Sequence, residues 1–144
     1  MTKIALDTDV LRACLQPVEG VSTHLAVTEL VELGATLWVL PAVLETISEE
    51  GNDWRGRWRE LPLYEQPLDA FLNGCAAGIA RRYLDYHPDP RDCRVVAEAE
   101  CAKMDAFVTL SKDLISGLGR RVENIRIEEP RDAVASCIRR RTDQ

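Results

Sequence analysis

The sequence predicts an α/β fold with a mainly parallel central sheet. Short apolar runs of strand length alternate with helical patterns along the whole chain. The runs do not alternate strictly between apolar and polar residues, as expected of strands covered on both faces. Acids recur at the element boundaries, at Asp7, Glu45, Asp92 and Asp113. In a parallel α/β fold the carboxyl ends of the strands open onto one crevice, so acids from distant parts of the chain would converge there.

Lys3-Ile4-Ala5-Leu6 forms the first short buried strand, and Asp7-Thr8-Asp9 starts a helix reaching about Leu15. Gln16 to Gly20 is a loop. A second helix runs from about Ser22 to Leu33, with Gly34 as its C-terminal cap. Thr36 to Leu40 is the second strand, apolar, β-branched and aromatic, which suits burial on both faces. Pro41 fits the first turn of the next helix, which carries Glu45. The stretch from Gly51 to Leu63 is irregular. Leu68, Phe71, Leu72, Cys75, Ile79 and Tyr83 then recur at three- and four-residue spacing and define the apolar face of a helix. Gly74 and Gly78 on that helix predict close approach by another element. The loop His87-Pro88-Asp89-Pro90 leads to a helix from Arg91 to Lys103. Ala106 to Leu110 is the third strand and Ile125 to Ile127 a short fourth. Pro130 opens a final helix to about Arg141, whose Arg139-Arg140-Arg141 run suits a helix C-terminus.

A chain of 144 residues is expected to form one domain, 1–144, with a full core, and a hydrophobic content of 46% marks it as globular. The net charge of −6 argues against a dedicated nucleic-acid-binding module, which is usually basic. It leaves room for a nuclease, because arginines cluster locally at Arg55, Arg57 and Arg59, at Arg81 and Arg82, and at Arg120 and Arg121. No run approaches the ~18 apolar residues of a membrane span. The N-terminal apolar stretch, broken at Asp7, is too short for a signal peptide, so a cytoplasmic protein is expected. Five cysteines without a C-x-x-C pair exclude zinc spacing, and disulfides are not expected in a reducing compartment. Cys75 is expected to be a small buried hydrophobe.

Each acid has a structural alternative. Asp7 fits the N-cap of the first helix, Asp89 an N-cap followed by Pro90, and Asp92 the third-position acid of that cap. Glu45 fits a solvated helix face, and Asp113 a turn cap. Their joint order is more restrictive: an Asp after the first strand, a Glu one turn into the helix after the second, and an Asp opening the helix before the third. Carboxylates gathered in one crevice raise one another's pKa, a conflict that a hard divalent cation such as Mg²⁺ or Mn²⁺ resolves.

That order resembles the PIN-domain family, which includes ribonuclease toxins of bacterial toxin–antitoxin pairs. Ile4-Ala5-Leu6-Asp7-Thr8-Asp9 is similar to the family's opening strand and Asp-Thr-Asn signature, and Pro41-Ala42-Val43-Leu44-Glu45 to its Pro-x-x-x-Glu helix start. Asp89-Pro90-Arg91-Asp92, continuing through Val95, Val96 and Ala99 to Asp105-Ala106-Phe107-Val108-Thr109, resembles its third acidic helix and following strand. Ile127-Glu128-Glu129-Pro130-Arg131 resembles its last strand and Pro-led helix. The resemblance covers nearly the whole chain. It implies a three-layer α/β/α domain with a sheet of four to five strands, and metal-dependent hydrolysis of single-stranded or looped RNA. It further implies a small antitoxin as partner and, in many members, a homodimer.

By the same resemblance Asp7, Glu45 and Asp92 form the metal-binding core, with Asp7 central. Asp9 replaces the family's Asn and either adds a ligand or holds the first helical turn. The family's fourth acid falls at Ser111, so either Ser111 acts through water, Asp113 substitutes, or the fourth ligand is missing. Thr8 and Thr109 are placed to hydrogen-bond carboxylates or backbone. His24 and His87 share no motif with the acids and are expected in surface or structural roles. Trp54-Arg55-Gly56-Arg57-Trp58-Arg59 has the composition of a partner interface, a structural clip or a base-stacking platform. Two other classes compete. Asp7-Thr8-Asp9-Val10 also resembles the Asp-x-Asp opening of haloacid-dehalogenase phosphatases, where Glu45 would have no role, and Ser111 suits a non-catalytic scaffold binding RNA or protein.

Overall fold

The computed structural model describes residues 2–16, 20–50 and 61–142. Among them the elements are β1 (Lys3–Leu6), α1 (Thr8–Cys14), α2 (Val21–Glu32), β2 (Thr36–Val39), α3 (Pro41–Glu49) and β3 (Leu63–Glu65), followed by α4 (Ala70–Tyr83), α5 (Pro90–Cys101), β4 (Ala106–Val108), α6 (Lys112–Leu118), β5 (Arg126–Glu128) and α7 (Pro130–Thr142). The Trp54–Arg59 segment lies outside the described residues.

The five strands form one sheet in the order β3-β2-β1-β4-β5, with every pairing parallel. The register places Ile4 between Leu37 and Ala106, and Ala5 between Trp38 and Phe107. From β1 the chain moves outward through β2 to β3, then crosses back to lay β4 on the other side of β1. The crevice at the carboxyl ends of β1 and β4 is therefore the topological switch point, where open α/β sheets bind ligands.

The central strands are buried on both faces: Ile4, Ala5, Leu6, Ala106, Phe107 and Val108 have no exposed surface. The second strand differs from expectation, since Leu37 and Val39 are buried while Thr36 and Trp38 are half-buried. Trp38 is covered by the Lys3 ammonium, 4.6 Å from the ring centroid, and by Tyr64 stacked at 5.2 Å. Helices flank the sheet: α2 packs on α1 and α7, while α5 packs on α3 and α4. Gly34 ends α2 as expected. Its φ of 92° is open to glycine, and the turn lets Ala35 N–H donate to Leu30 O at 3.0 Å.

Two elements were not legible as such. β3 is a three-residue edge strand, half-buried at Leu63 and exposed at Tyr64 and Glu65, so it carries no apolar run. The short helix α6 begins at a Ser111 cap, whose hydroxyl accepts from Leu114 N–H at 3.2 Å.

Three expectations for α4 are corrected. Leu68, preceding it, and Phe71 are 56% and 77% exposed, so the inward stripe runs through Leu72, Ala76 and Tyr83 instead. Among the described residues, nothing beyond their own helix lies within 4 Å of a Cβ at Gly74 or Gly78, so neither glycine admits a close neighbour there. Cys75 is half-buried and disulfide-bonded to Cys101 of α5, 26 residues away. Helix packing brings these two thiols together, and no local spacing pattern announces it.

Candidate functional site

Asp7 and Thr109 are the first residues past β1 and β4. Asp7 N–H donates to Val108 O at 2.9 Å, which carries the β1–β4 ladder one residue beyond the strands. Its backbone is extended, and it serves as N-cap of α1, Oδ1 accepting from Thr8 N–H at 2.8 Å. The cap occupies one oxygen of Asp7 and leaves the other to reach across the sheet. Across the switch point Oδ2 accepts from the fully buried Thr109 hydroxyl at 2.8 Å. That hydroxyl has one proton, and Asp9 Oδ2 lies further from it, at 3.3 Å. The proton belongs to Asp7, while Asp9 Oδ2 accepts from Leu110 N–H at 3.1 Å. Thr109 Oγ1 also accepts from Ser111 N–H at 3.1 Å. One threonine therefore fixes the carboxylate of Asp7 and the loop that fixes Asp9.

Burial raises the Asp7 pKa to about 7, and the neighbouring charge of Asp9 adds to the rise. The Thr109 and Thr8 hydrogen bonds pull it down, and Asp92 contributes a smaller upward push. Asp9 is raised too, foremost by burial, with Asp92 again adding charge. Asp9 Oδ1 is buried with no hydrogen-bond partner among the described residues. An orphaned carboxylate oxygen beside a second carboxylate of raised pKa is a place that lacks a positive charge.

Asp92 lies in the first turn of α5, half-buried. Asp89 caps that helix, accepting from Arg91 N–H at 2.9 Å, with Pro90 at the first helical position. Asp92 Oδ2 instead accepts from His87 Nε2 at 2.8 Å. Glu45 is exposed on α3 and Asp113 is exposed in the first turn of α6. Neither carboxylate takes part in the network that joins Asp7, Asp9 and Thr109. Ser111 caps α6 and so has its oxygen turned to Leu114 N–H. Arg12 stands on the rim, paired with Glu50 through Nε at 2.9 Å, and feels the charges of Asp9 and Asp7.

Among the described residues no three acidic, histidine or cysteine side chains converge closely enough to grip an ion by themselves. Mg²⁺ usually keeps several waters and binds through one or two carboxylates. Asp7 and Asp9, with the charge of Asp92 near both, fit such a partly hydrated cation in donor chemistry.

Two buried polar residues make contacts near the site that the sequence does not announce. His87 is 7% exposed and bonded to Asp92. Its only sequence signal is that it stands five residues before that acid across a proline-rich turn. Glu98, 1% exposed, accepts from Ala42 N–H at 2.9 Å and from Arg94 Nε at 2.8 Å. The N-cap of α3 is Leu40, which has no side-chain acceptor, so a carboxylate from α5 satisfies the orphan amide. The Arg94–Glu98 spacing hints at an ion pair, but the cross-helix cap is visible only in the fold.

No family model matches the sequence, and no curated protein matches it. Among solved structures, the chain is similar to a chain of VapBC2 from Rickettsia felis, determined bound to a DNA fragment from their promoter. The match has a TM-score of 0.66 at 13% identity and covers 89% of this chain and 98% of the other. The five-stranded parallel sheet flanked by helices is thus a PIN-like fold. Among the described residues no helix is long and apolar enough to cross a membrane.

Proposed function

We propose that this protein is a metal-dependent endoribonuclease acting on single-stranded or looped RNA, and the toxin of a toxin–antitoxin pair. The observation that carries the proposal is the carboxylate pair at the switch point: Asp7, pushed to about 7, beside the orphaned Asp9 Oδ1. Fold likeness to a VapBC2 chain supports the class and the small antitoxin as partner. In this proposal Asp7 and Asp9 hold Mg²⁺ or Mn²⁺, with Asp92 as the third acid and Glu45 and Asp113 on the exposed rim. When bound, the ion supplies water activation and neutralises charge developing on the phosphate.

The chain's own residues supply the rest. Thr109 keeps Asp7 oriented through Oδ2 and leaves Asp9 Oδ1 uncommitted. Arg121 stacks over Tyr86, its guanidinium 4.2 Å from the ring centroid, beside a cleft of about 1000 Å³. Tyr86 directly precedes His87 in the chain, and the Arg121 cation stacked on its ring suits the backbone of a nucleotide strand.

The test is cleavage of a mixed single-stranded RNA pool with Mg²⁺ or Mn²⁺, alongside EDTA and Asp7→Asn. Cleavage that needs the metal and disappears in Asp7→Asn is the expected result. Folded wild-type protein that binds Mn²⁺ yet cleaves nothing across the pool would refute the enzyme and favour a scaffold.

A further inference from the structure

We propose that His87 is a positioning residue for Asp92, holding one carboxylate oxygen so that the other faces Asp7 and Asp9; this rests on the metal-dependent function proposed above. His87 is held in the fold at three points, two through its backbone and one at its ring. His87 N–H donates to Tyr83 O at 3.0 Å, which fixes it to the end of α4. Its carbonyl accepts from Cys93 Sγ at 3.3 Å, which fixes it to α5. On α6, a Cβ at Gly117 would stand 3.1 Å from Tyr86 O and 3.3 Å from His87 Nδ1. Glycine within a helix costs roughly 1 kcal/mol relative to alanine, and here it makes room for the ring.

The pair is not needed to start α5. Asp89 already caps that helix, and its Oδ1 accepts from both Arg91 N–H and Asp92 N–H. Asp92 could therefore swing freely into solvent on its exposed side. Instead Oδ2 is fixed by Nε2–H at 2.8 Å, while the charge of Asp92 acts on both Asp7 and Asp9. Groups that hydrogen-bond a metal-binding carboxylate orient it, and their loss typically costs ~10–100-fold in metal affinity.

The experiment measures Mn²⁺ affinity by electron paramagnetic resonance for wild type, His87→Phe, His87→Gln and Asp92→Asn, with thermal unfolding of each. His87→Phe keeps a ring without a donor, and affinity is expected to fall ~10–100-fold. His87→Gln restores an amide donor near the Nε2 position and is expected to recover most of the loss, which a purely structural role would not predict. If His87→Phe does not fold, Gly117→Ala takes its place: its Cβ crowds Tyr86 O and His87 Nδ1, so the ring must give way by a few tenths of an ångström and affinity is expected to fall, an unchanged affinity overturning the positioning role.

Folded His87→Phe with wild-type Mn²⁺ affinity overturns the positioning role, as does His87→Gln binding no better than His87→Phe. In either case a loss of binding in Asp92→Asn leaves the metal site itself standing. A wild-type protein that binds no Mn²⁺ overturns the metal site and the positioning role together.

Discussion

Replacing Asp7 by Asn should make the metal-free protein more stable, not less. Burial and the charge of Asp9 hold the Asp7 pKa at about 7, against 3.8 for the free side chain. Between those values the unfolded chain has lost a proton that the folded chain keeps. Stability therefore falls as pH rises through that window; it is fully present below about 4 and lost above about 7. The gap of about three pH units corresponds to at most about 4 kcal/mol, at ~1.4 kcal/mol per unit. Asn removes the charge and keeps the contacts. Its oxygen accepts from Thr8 N–H, and its amide donates to Thr109 Oγ1, whose own proton turns to Asp9 Oδ2 at 3.3 Å. At ~2–4 °C per kcal/mol, Asp7→Asn at pH 8 in EDTA should melt above wild type by up to roughly 8–16 °C. By pH 4 the two should converge. Mn²⁺ at pH 8 should raise the wild-type Tm and leave that of the variant unchanged. Thermal unfolding followed by circular dichroism between pH 4 and 8 checks all of this. A wild-type Tm flat across that range, with Asp7→Asn no more stable at pH 8, would refute the electrostatic reasoning.

Glu98→Ala leaves Ala42 N–H and the Arg94 guanidinium without their buried acceptor, and should destabilise by roughly 3–5 kcal/mol in urea titration. A loss below about 1 kcal/mol would mean that water replaces the carboxylate. Among the described residues Gly74→Ala and Gly78→Ala meet nothing within 4 Å on exposed helix, so each should stabilise α4 by roughly 1 kcal/mol; a lowered Tm would show that their surface is occupied. The Cys75–Cys101 disulfide predicts that three of the five cysteines react with a thiol reagent in denaturant without reductant. Reduction should cost roughly 3 kcal/mol of stability, given a closed loop of this length, and five reactive thiols would show that the bond does not form.

The parts of this fold legible in the sequence are those whose signal is local. Ile4–Leu6 of β1 and the whole of β4 are fully buried apolar runs, so they stand out without context. Gly34 and Pro41 mark helix ends through their own backbone chemistry. Asp7 and Asp9 were legible because a short apolar run must end at the sheet's carboxyl edge, and a parallel sheet places that edge at the site. What failed depends on contacts between elements. The edge strand β3 pairs through its backbone and the Tyr64–Trp38 stack, and it buries little. Cys75 finds Cys101 only because α4 packs on α5.

The same division runs through the site. A cap and a metal ligand place identical demands on a sequence, an acid at the start of a helix, so residue type cannot separate Asp7 from Asp89. The structure separates them by what the second oxygen does. Asp89 Oδ1 accepts from two amides of its own helix, and its role ends there. Asp7 spends one oxygen on its helix and sends the other across the switch point to a strand-end threonine 102 residues away. Asp92 leaves its helix uncapped by its own side chain and takes a histidine from the preceding loop. An oxygen directed away from the acid's own helix sets both apart from a simple cap, although Glu98, which caps α3 from α5, shows that a distant partner alone does not make a site. Asp7 and Asp92 both direct an oxygen away from their own helices, while Glu45 and Asp113 lie exposed on α3 and α6.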